Sequence, residues 1–181
     1  MSKAILLNTG WTFTKEGHDE PVTLPHTWNA VDGQDGGNDY YRGTCSYTRN
    51  LEKPELSDGD RAVLQFDGVA MAAVVSLNGE KVAEHKGGYS TFRVDITDAL
   101  HDGANELIVS VDNSDNDTVY PQKADFTFYG GIYRDVSLLV VNKNHIALGH
   151  FGDTGVKITP ALQENSADIR VETLVEGSGT V

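Results

Sequence analysis

The sequence predicts an all-β fold built as a two-sheet sandwich. Many short segments alternate apolar and polar residues, and turns rich in Gly, Asn and Asp separate them. No window of eleven or more residues keeps the apolar spacing of an amphipathic helix. Nineteen glycines against five prolines fit a turn-rich β protein, and apolar residues make up 39% of the 181-residue chain. This apolar fraction is sufficient for a hydrophobic core.

The individual strands are assigned from this alternation and from the turns between them. Residues 41–51 are predicted to form one long strand that bends near Gly43, because a glycine within a strand often marks a bulge. The pair Asn78-Gly79 predicts a two-residue hairpin turn, whose central positions both need positive φ. Thr97 is expected to cap a single helical turn. Further strands are predicted at residues 61–67, 73–77, 81–85, 91–96, 106–112 and 132–141.

Residues 142–181 differ from the preceding sequence. They contain two predicted strands, 156–162 and 168–175, which a polar loop separates, and they end in turn residues. Two strands cannot bury a hydrophobic core of their own. The segment therefore either packs onto the sandwich or opens a second domain whose remainder lies beyond Val181, and we expect the second arrangement.

Charge and cysteine content narrow the class of protein. The formal net charge of −13 argues against nucleic acid or an anionic membrane as a partner and favours a neutral ligand. Cys45 is the single cysteine, so no disulfide forms within the chain. The apolar run near the N-terminus is four residues long, too short for a signal peptide or a membrane span. We therefore expect a cytoplasmic protein.

The strongest functional signal lies in residues 125–141. Asp125 stands among Phe126, Phe128 and Tyr129 and is followed by a double-glycine turn. Aromatic faces stack on the apolar C–H face of a pyranose, and a carboxylate accepts hydrogen bonds from sugar hydroxyls. The segment therefore suits sugar recognition.

The same segment resembles one in glycoside hydrolase family two, the β-galactosidase and β-glucuronidase group, where it closes the N-terminal sugar-binding domain. Other parts of the chain are similar to that family in order and spacing. They are the opening strand at 11–13, the proline-histidine-x-tryptophan segment at 24–29, the strand entry at 39–43, and residues 66–69, 75–79 and 103–107. The ordered set makes the resemblance specific, and it thins from Asn142 onward.

The resemblance implies a jelly-roll sugar-binding domain over residues 1–141 and the start of an immunoglobulin-like β-sandwich domain over 142–181. The parent protein would be a β-galactosidase-like retaining glycosidase that acts on β-glycosides and is a homo-oligomer. Its two catalytic glutamates would lie on a barrel domain that partners this domain and is not in this chain. The Asn105-Glu106 pair is expected to enter a sheet, so the chain alone is expected to be inactive.

By the same resemblance, Asp125 matches an aspartate that contacts the sugar in β-glucuronidases and helps hold a sodium ion in β-galactosidases. The alternative is an aspartate that caps the loop. Asn29 stands where the family often places a sugar-contacting asparagine, with turn formation as the alternative, whereas His26 and Trp28 are expected to pack the loop. No cofactor is expected in this chain, while Na⁺ or Mg²⁺ is expected in the parent, with Asp125 as a shared metal ligand.

Three questions stay open at this stage. Residues 112–117 look like a calcium loop but lack glycine at the sixth position and glutamate at the twelfth, which favours a solvated loop. A free-standing carbohydrate-binding module and a purely structural sandwich are alternatives to the enzyme. The resemblance of residues 125–135 favours a β-galactoside over a glucuronide.

Overall fold

The computed structural model describes residues 3–30, 40–119, 127–149 and 155–178, which form fourteen strands and one 3-10 turn. The turn spans Thr97–Ala99. The strands are β1 (Lys3–Leu6), β2 (Trp11–Lys15), β3 (His18–Val22), β4 (Thr44–Glu52), β5 (Arg61–Phe66), β6 (Ala72–Leu77), β7 (Glu80–Lys86), β8 (Phe92–Asp95), β9 (Ala104–Asp112), β10 (Val136–Val141), β11 (His145–Ile146), β12 (Val156–Leu162), β13 (Ala167–Thr173) and β14 (Val175–Glu176).

Ten of these strands form two antiparallel sheets, which confirms the predicted sandwich. The larger sheet has six strands in the order β3-β2-β4-β9-β6-β7, and the smaller has four in the order β1-β10-β5-β8. Strand β4 pairs with β9 over nine residue pairs, so these two form the centre of the larger sheet. The two remaining pairs, β11 with β14 and β12 with β13, belong to neither sheet.

The hydrophobic core lies between the two sheets because alternate residues of each strand point toward the opposite sheet. In β5 the side chains of Ala62, Leu64 and Phe66 are all fully buried. The larger sheet contributes the buried residues Trp11, Phe13, Tyr47, Ala73, Val75, Leu77, Leu107, Val109 and Val111. Burying an apolar side chain of this size contributes about 1.5–3 kcal/mol to folding, so this alternation accounts for the fold.

The predicted hairpin at Asn78-Gly79 is confirmed, since these residues have φ values of +53° and +82° between β6 and β7. The predicted start of the strand at residues 132–141 is wrong, since β10 begins at Val136. Residues 132–135 do not extend β10, because their backbone groups bond to loops instead of a neighbouring strand. The Ile132 carbonyl accepts a hydrogen bond from the His26 amide, and the Asp135 carbonyl accepts one from Asp67.

The predicted role of Thr97 as a helix cap is also wrong. Ile96 occupies the cap position and makes no side-chain cap bond there. The Thr97 hydroxyl instead donates to Asp95 and accepts a hydrogen bond from the Ala62 amide at 2.8 Å. The sequence pattern missed β1 and β3 because both are edge strands, and an exposed edge needs no apolar alternation.

The segment after β10 splits into two parts. The Leu148 carbonyl accepts a hydrogen bond from the Arg93 guanidinium, and Ala147 is buried, so residues 145–148 lie on the outer face of the smaller sheet. The hairpin of β12 and β13 is exposed. Its register puts Ile158 opposite Val171, Pro160 opposite Ile169 and Leu162 opposite Ala167, which collects the apolar side chains on one face. Within the described ranges, no helix has the length and apolar character needed to cross a bilayer.

This difference in packing predicts a difference in backbone protection. Amides of β12 and β13 should exchange with solvent much faster than those of β4 and β9, because a two-stranded hairpin without a packed face is marginally stable. Hydrogen–deuterium exchange followed by mass spectrometry of peptic peptides measures this directly. Equal protection of the two regions would contradict the assignment of the hairpin as unsupported.

Candidate functional site

Four loops meet at one end of the sandwich, and we call this region the loop end. It comprises residues 24–30, 40–43, 113–119 and 127–132. Asp125, the residue that the sequence singles out most strongly, lies outside the described residues, so its role as a sugar or cation ligand stays a prediction. The described residue nearest to it in the sequence is Thr127. The loop end therefore includes the place where the chain continues from Asp125.

The double glycine of the loop end is explained by close packing. A Cβ added to Gly130 would lie 2.0 Å from the indole ring of Trp28. Gly131 has φ of +134°, and a Cβ there would lie 2.4 Å from the His26 carbonyl oxygen. Glycine is needed at the first position for space and at the second for both space and backbone conformation.

Hydrogen bonds hold the double glycine on both sides. The Thr27 hydroxyl donates to the Gly130 carbonyl at 2.8 Å. On the other side, Ala70 and Gly131 exchange backbone hydrogen bonds of 3.0 and 3.2 Å. The turn is thus fixed between two loops that come from different parts of the chain.

Asn29 is fully buried, and its side chain is used within the protein. Its Oδ1 accepts hydrogen bonds from the Gly130 amide at 2.7 Å and from the Asn113 side chain at 3.2 Å, and its Nδ2 donates to the Tyr41 carbonyl at 2.9 Å. These contacts assign Asn29 a structural role, because they join its own loop to the three other loops of the loop end. Direct contact between Asn29 and a sugar stays a prediction.

Asn113 is a residue of the loop end that the sequence analysis did not single out. It follows the last residue of β9 and is fully buried. Its Oδ1 accepts a hydrogen bond from the Gly43 amide at 2.9 Å. This bond explains why β4 begins at Thr44, whereas the sequence predicted a strand from Tyr41. An asparagine directly after the alternating residues of a predicted strand is the sequence signal that could have identified it.

His26 and Trp28 pack the loop, as the sequence analysis expected. The Trp28 ring stacks on Phe13 with ring centroids 5.9 Å apart. The Nδ1 atom of His26 and the Tyr47 hydroxyl are hydrogen-bonded at 2.7 Å. Burial lowers the pKa of His26 from its ordinary value, although the negative charge of Glu20 partly opposes this shift. The neutral imidazole is therefore the form that the folded protein favours.

The aromatic residues after Asp125 divide into a packing residue and an exposed one. Phe128 is buried, with 5% of its surface exposed, so its ring faces the protein. Tyr129 is 47% exposed and presents its ring to solvent. Among the predicted stacking aromatics that are described, Tyr129 is therefore the one with a ring face open to a sugar.

The two other carboxylate signals have local explanations. Asp112 accepts hydrogen bonds from the Ser114 amide and hydroxyl and from the Thr44 hydroxyl, an arrangement typical of an Asp-stabilised turn. Over the ranges that the structure describes, no group of three or more His, Cys, Asp or Glu side chains is arranged to hold a metal ion. Glu106 is an exposed residue of β9, which confirms that the Asn105-Glu106 pair enters a sheet.

The chain is similar to known proteins of one family. Residues 2–142 match the model of the family described as "Glycosyl hydrolases family 2, sugar binding domain". A beta-glucuronidase from Bacteroides fragilis is 41% identical over 158 residues, which are 84% of this chain and 23% of that protein. A beta-galactosidase from Thermoanaerobacter pseudethanolicus is 32% identical over 176 residues, which are 94% of this chain and 23% of that protein.

A solved structure is similar to this chain in both fold and sequence. It is an FMN-binding beta-glucuronidase from Facaelibacterium prausnitzii L2-6, and it is 43% identical to this chain, with a TM-score of 0.92. The match covers 97% of this chain and 28% of that one. The chain thus spans about a quarter of the length of the relatives that it matches.

The close packing of the double glycine predicts a large effect of adding one methyl group. Gly130→Ala should lower the free energy of unfolding by about 1–3 kcal/mol, because the Cβ would overlap the Trp28 ring. Gly149→Ala is the matched control, since no atom lies within 4 Å of its added Cβ, and it should change stability by less than about 0.5 kcal/mol. Urea denaturation of both variants measures the difference. Equal stabilities would show that the loop end adjusts without cost.

The lowered pKa of His26 predicts a loss of stability in mild acid. Unfolded histidine titrates near 6.5 and folded His26 below it, so between these values the unfolded chain binds more protons. The free energy of unfolding should therefore fall as the pH decreases from 6.5 toward the lower, folded value. His26→Gln should weaken this pH dependence, and His18→Gln, which changes an exposed histidine of β3, should leave it intact. Urea denaturation at about pH 7.5 and about pH 5.5 tests this, and an unchanged dependence in His26→Gln would exclude His26 as its source.

Proposed function

This chain belongs to glycosyl hydrolase family 2 through its sugar binding domain, and we propose that it is the N-terminal sugar-binding and scaffolding part of a β-glycosidase. The match over residues 2–142 supports the assignment of the domain. That the chain spans 23% of its relatives supports a larger parent protein. The two glutamates of a retaining mechanism would then belong to a partner barrel domain.

The observation that carries this proposal is the anchored turn at Gly130, which follows Asp125 by five residues in the sequence. The Gly130 carbonyl and amide are bonded to Thr27 and Asn29. A turn held in this way loses little conformational entropy when a ligand binds beside it. Asp125 would accept hydrogen bonds from sugar hydroxyls, or would share a hard cation such as Na⁺ or Mg²⁺ with them in the parent.

The substrate class we propose is a β-glycoside, either a β-glucuronide or a β-galactoside. The sequence segment at 125–135 favoured the galactoside. Among the relatives compared, the two with the higher identities, 41% and 43%, are named beta-glucuronidases, which supports testing the glucuronide first. Turnover of p-nitrophenyl β-glucuronide and p-nitrophenyl β-galactoside by the parent enzyme distinguishes the two.

We also propose that residues 142–181 open a second, immunoglobulin-like sandwich. The support is the apolar face of the β12–β13 hairpin, where Ile158 and Val171 are 62% and 59% exposed. Opposing strands with an uncovered apolar face are stabilised when a second sheet packs on them. This arrangement favours an enzyme scaffold over a free-standing binding module.

The role of Asp125 predicts a large loss of activity on its removal. In the parent enzyme, Asp125→Ala should lower kcat/KM for the preferred p-nitrophenyl glycoside by at least about a hundredfold, because the sugar would lose its positioning contact. The melting temperature should change little. Asp58→Asn, which changes an exposed acid of the turn before β5 and outside the loop end, is the control and should retain full activity. Full turnover by Asp125→Ala would contradict the assignment.

A further inference from the structure

Asn113 connects more of the loop end than its single position in the sequence suggests. Its Nδ2 group lies within hydrogen-bonding distance of Asn29 Oδ1 at 3.2 Å, the Phe128 carbonyl at 3.2 Å and the Tyr41 carbonyl at 3.3 Å. Its Oδ1 accepts the Gly43 amide at 2.9 Å. One fully buried amide therefore joins loops that are 84, 72, 70 and 15 residues away from it in the sequence.

The contacts of Asn113 continue through Asn29 to the double glycine. Asn113 donates to Asn29 Oδ1, and the same oxygen accepts the Gly130 amide at 2.7 Å. The segment from Phe128 to Gly130 is thus held at its first residue by Asn113 directly and at its last residue by Asn29. Tyr129, which lies between them, is 47% exposed.

These side-chain bonds lie outside the paired residues of the sheet. Asn113 lies just past the end of β9, and the side-chain partners named above are all in loops. The backbone of Asn113 also bonds to the loop at 40–43. Its amide donates to the Gly43 carbonyl at 3.3 Å, and its carbonyl accepts a hydrogen bond from Arg42 Nε at 3.1 Å. Asn113 therefore sets where the loops stand relative to the end of a central strand.

We propose that Asn113 is a positioning residue of the sugar subsite, which it serves by holding the Phe128–Gly130 segment in register with Asn29. The inference rests on the proposed function, in which the neighbouring Asp125 binds the sugar. Asn113 touches no substrate. Its loss removes the hydrogen bonds that it makes to the Phe128 carbonyl, to Asn29 Oδ1 and to the Gly43 amide, and losing these bonds at a buried site favours a shifted arrangement of the segment. A shift of about 1 Å in a positioning loop costs up to about a hundredfold in rate.

The chain provides a matched control in Asn105. This asparagine is also fully buried, and its Nδ2 lies near the carbonyls of Leu51, His101 and Gly103 at 2.9–3.3 Å. Its Oδ1 accepts a hydrogen bond from the His101 amide at 2.7 Å. It lies at the start of β9, eight residues before Asn113 and therefore about 26 Å away at the opposite end of the strand. The two residues have the same chemistry and burial but differ in distance from the loop end.

The test compares Asn113→Ala, Asn105→Ala, Asp125→Ala and the double variant of Asn113 and Asp125 in the parent enzyme. Each is assayed with the preferred p-nitrophenyl glycoside, well below its own melting temperature. Both asparagine variants should lower the melting temperature. We expect kcat/KM to fall about tenfold to a hundredfold in Asn113→Ala and less than about twofold in Asn105→Ala.

The double variant separates positioning from general damage. If Asn113 acts through the loop that continues from Asp125, its removal should cost less than about threefold when Asp125 is already alanine. The inference is overturned if the kcat/KM losses of the two single variants multiply fully in the double variant, or if Asn113→Ala and Asn105→Ala are equally active. Either result leaves the proposed function intact. Wild-type turnover by Asp125→Ala overturns both.

A second pair of variants covers the case in which alanine prevents folding. Asn113→Asp and Asn105→Asp keep the side-chain shape and the acceptor oxygen but lose the donating amide. The same ranking of kcat/KM is expected, with Asn113→Asp impaired and Asn105→Asp near the wild type. Because aspartate fills the same space as asparagine, no cavity forms in these variants, and the reverse ranking would overturn the inference.

Discussion

The approach of the Gly130–Gly131 backbone to the Pro25–Trp28 loop is the constraint on which the loop end depends. At this approach a Cβ would lie 2.0 Å from the Trp28 ring or 2.4 Å from the His26 carbonyl, so no side chain fits between the two segments. The closeness in turn allows the Thr27 hydroxyl and the Asn29 amide to reach the glycine backbone. Glycine at these two positions removes the side chains that would hold the segments apart, so polar side chains of one segment reach the backbone of the other.

Fully buried asparagine side chains are a second structural feature of this domain. Within the described part of the chain, the polar side chains that are fully buried are those of Asn29, Asn105 and Asn113. An amide both donates and accepts, so one asparagine can satisfy loop carbonyls and loop amides at the same time. Asn105 and Asn113 lie at the two ends of β9, and each fixes the loops around its own end of the sheet. The sandwich core is apolar, and polar specificity is concentrated where strands become loops.

The sheets and the loop end of this domain are held together by different interactions. The sheets form a rigid frame through apolar alternation, which does not depend on the substrate. The loop end is braced to this frame by hydrogen bonds to backbone groups, while the side chain of Tyr129 is exposed. The apolar face of the β12–β13 hairpin is exposed, and neither strand belongs to the two sheets of the sandwich.

The sequence by itself determined the fold class, most strands and the Asn78-Gly79 hairpin, because these follow from local alternation and local backbone preference. It also identified the double glycine and the packing of His26 and Trp28. The tertiary structure alone decided that β4 starts at Thr44 and β10 at Val136, since distant loops take the backbone groups that a longer strand would have used. It likewise showed that Asn29 and Asn113 share one buried cluster. Their positions are 84 residues apart, and such a pairing is created by the folded core and leaves no periodic trace in the chain.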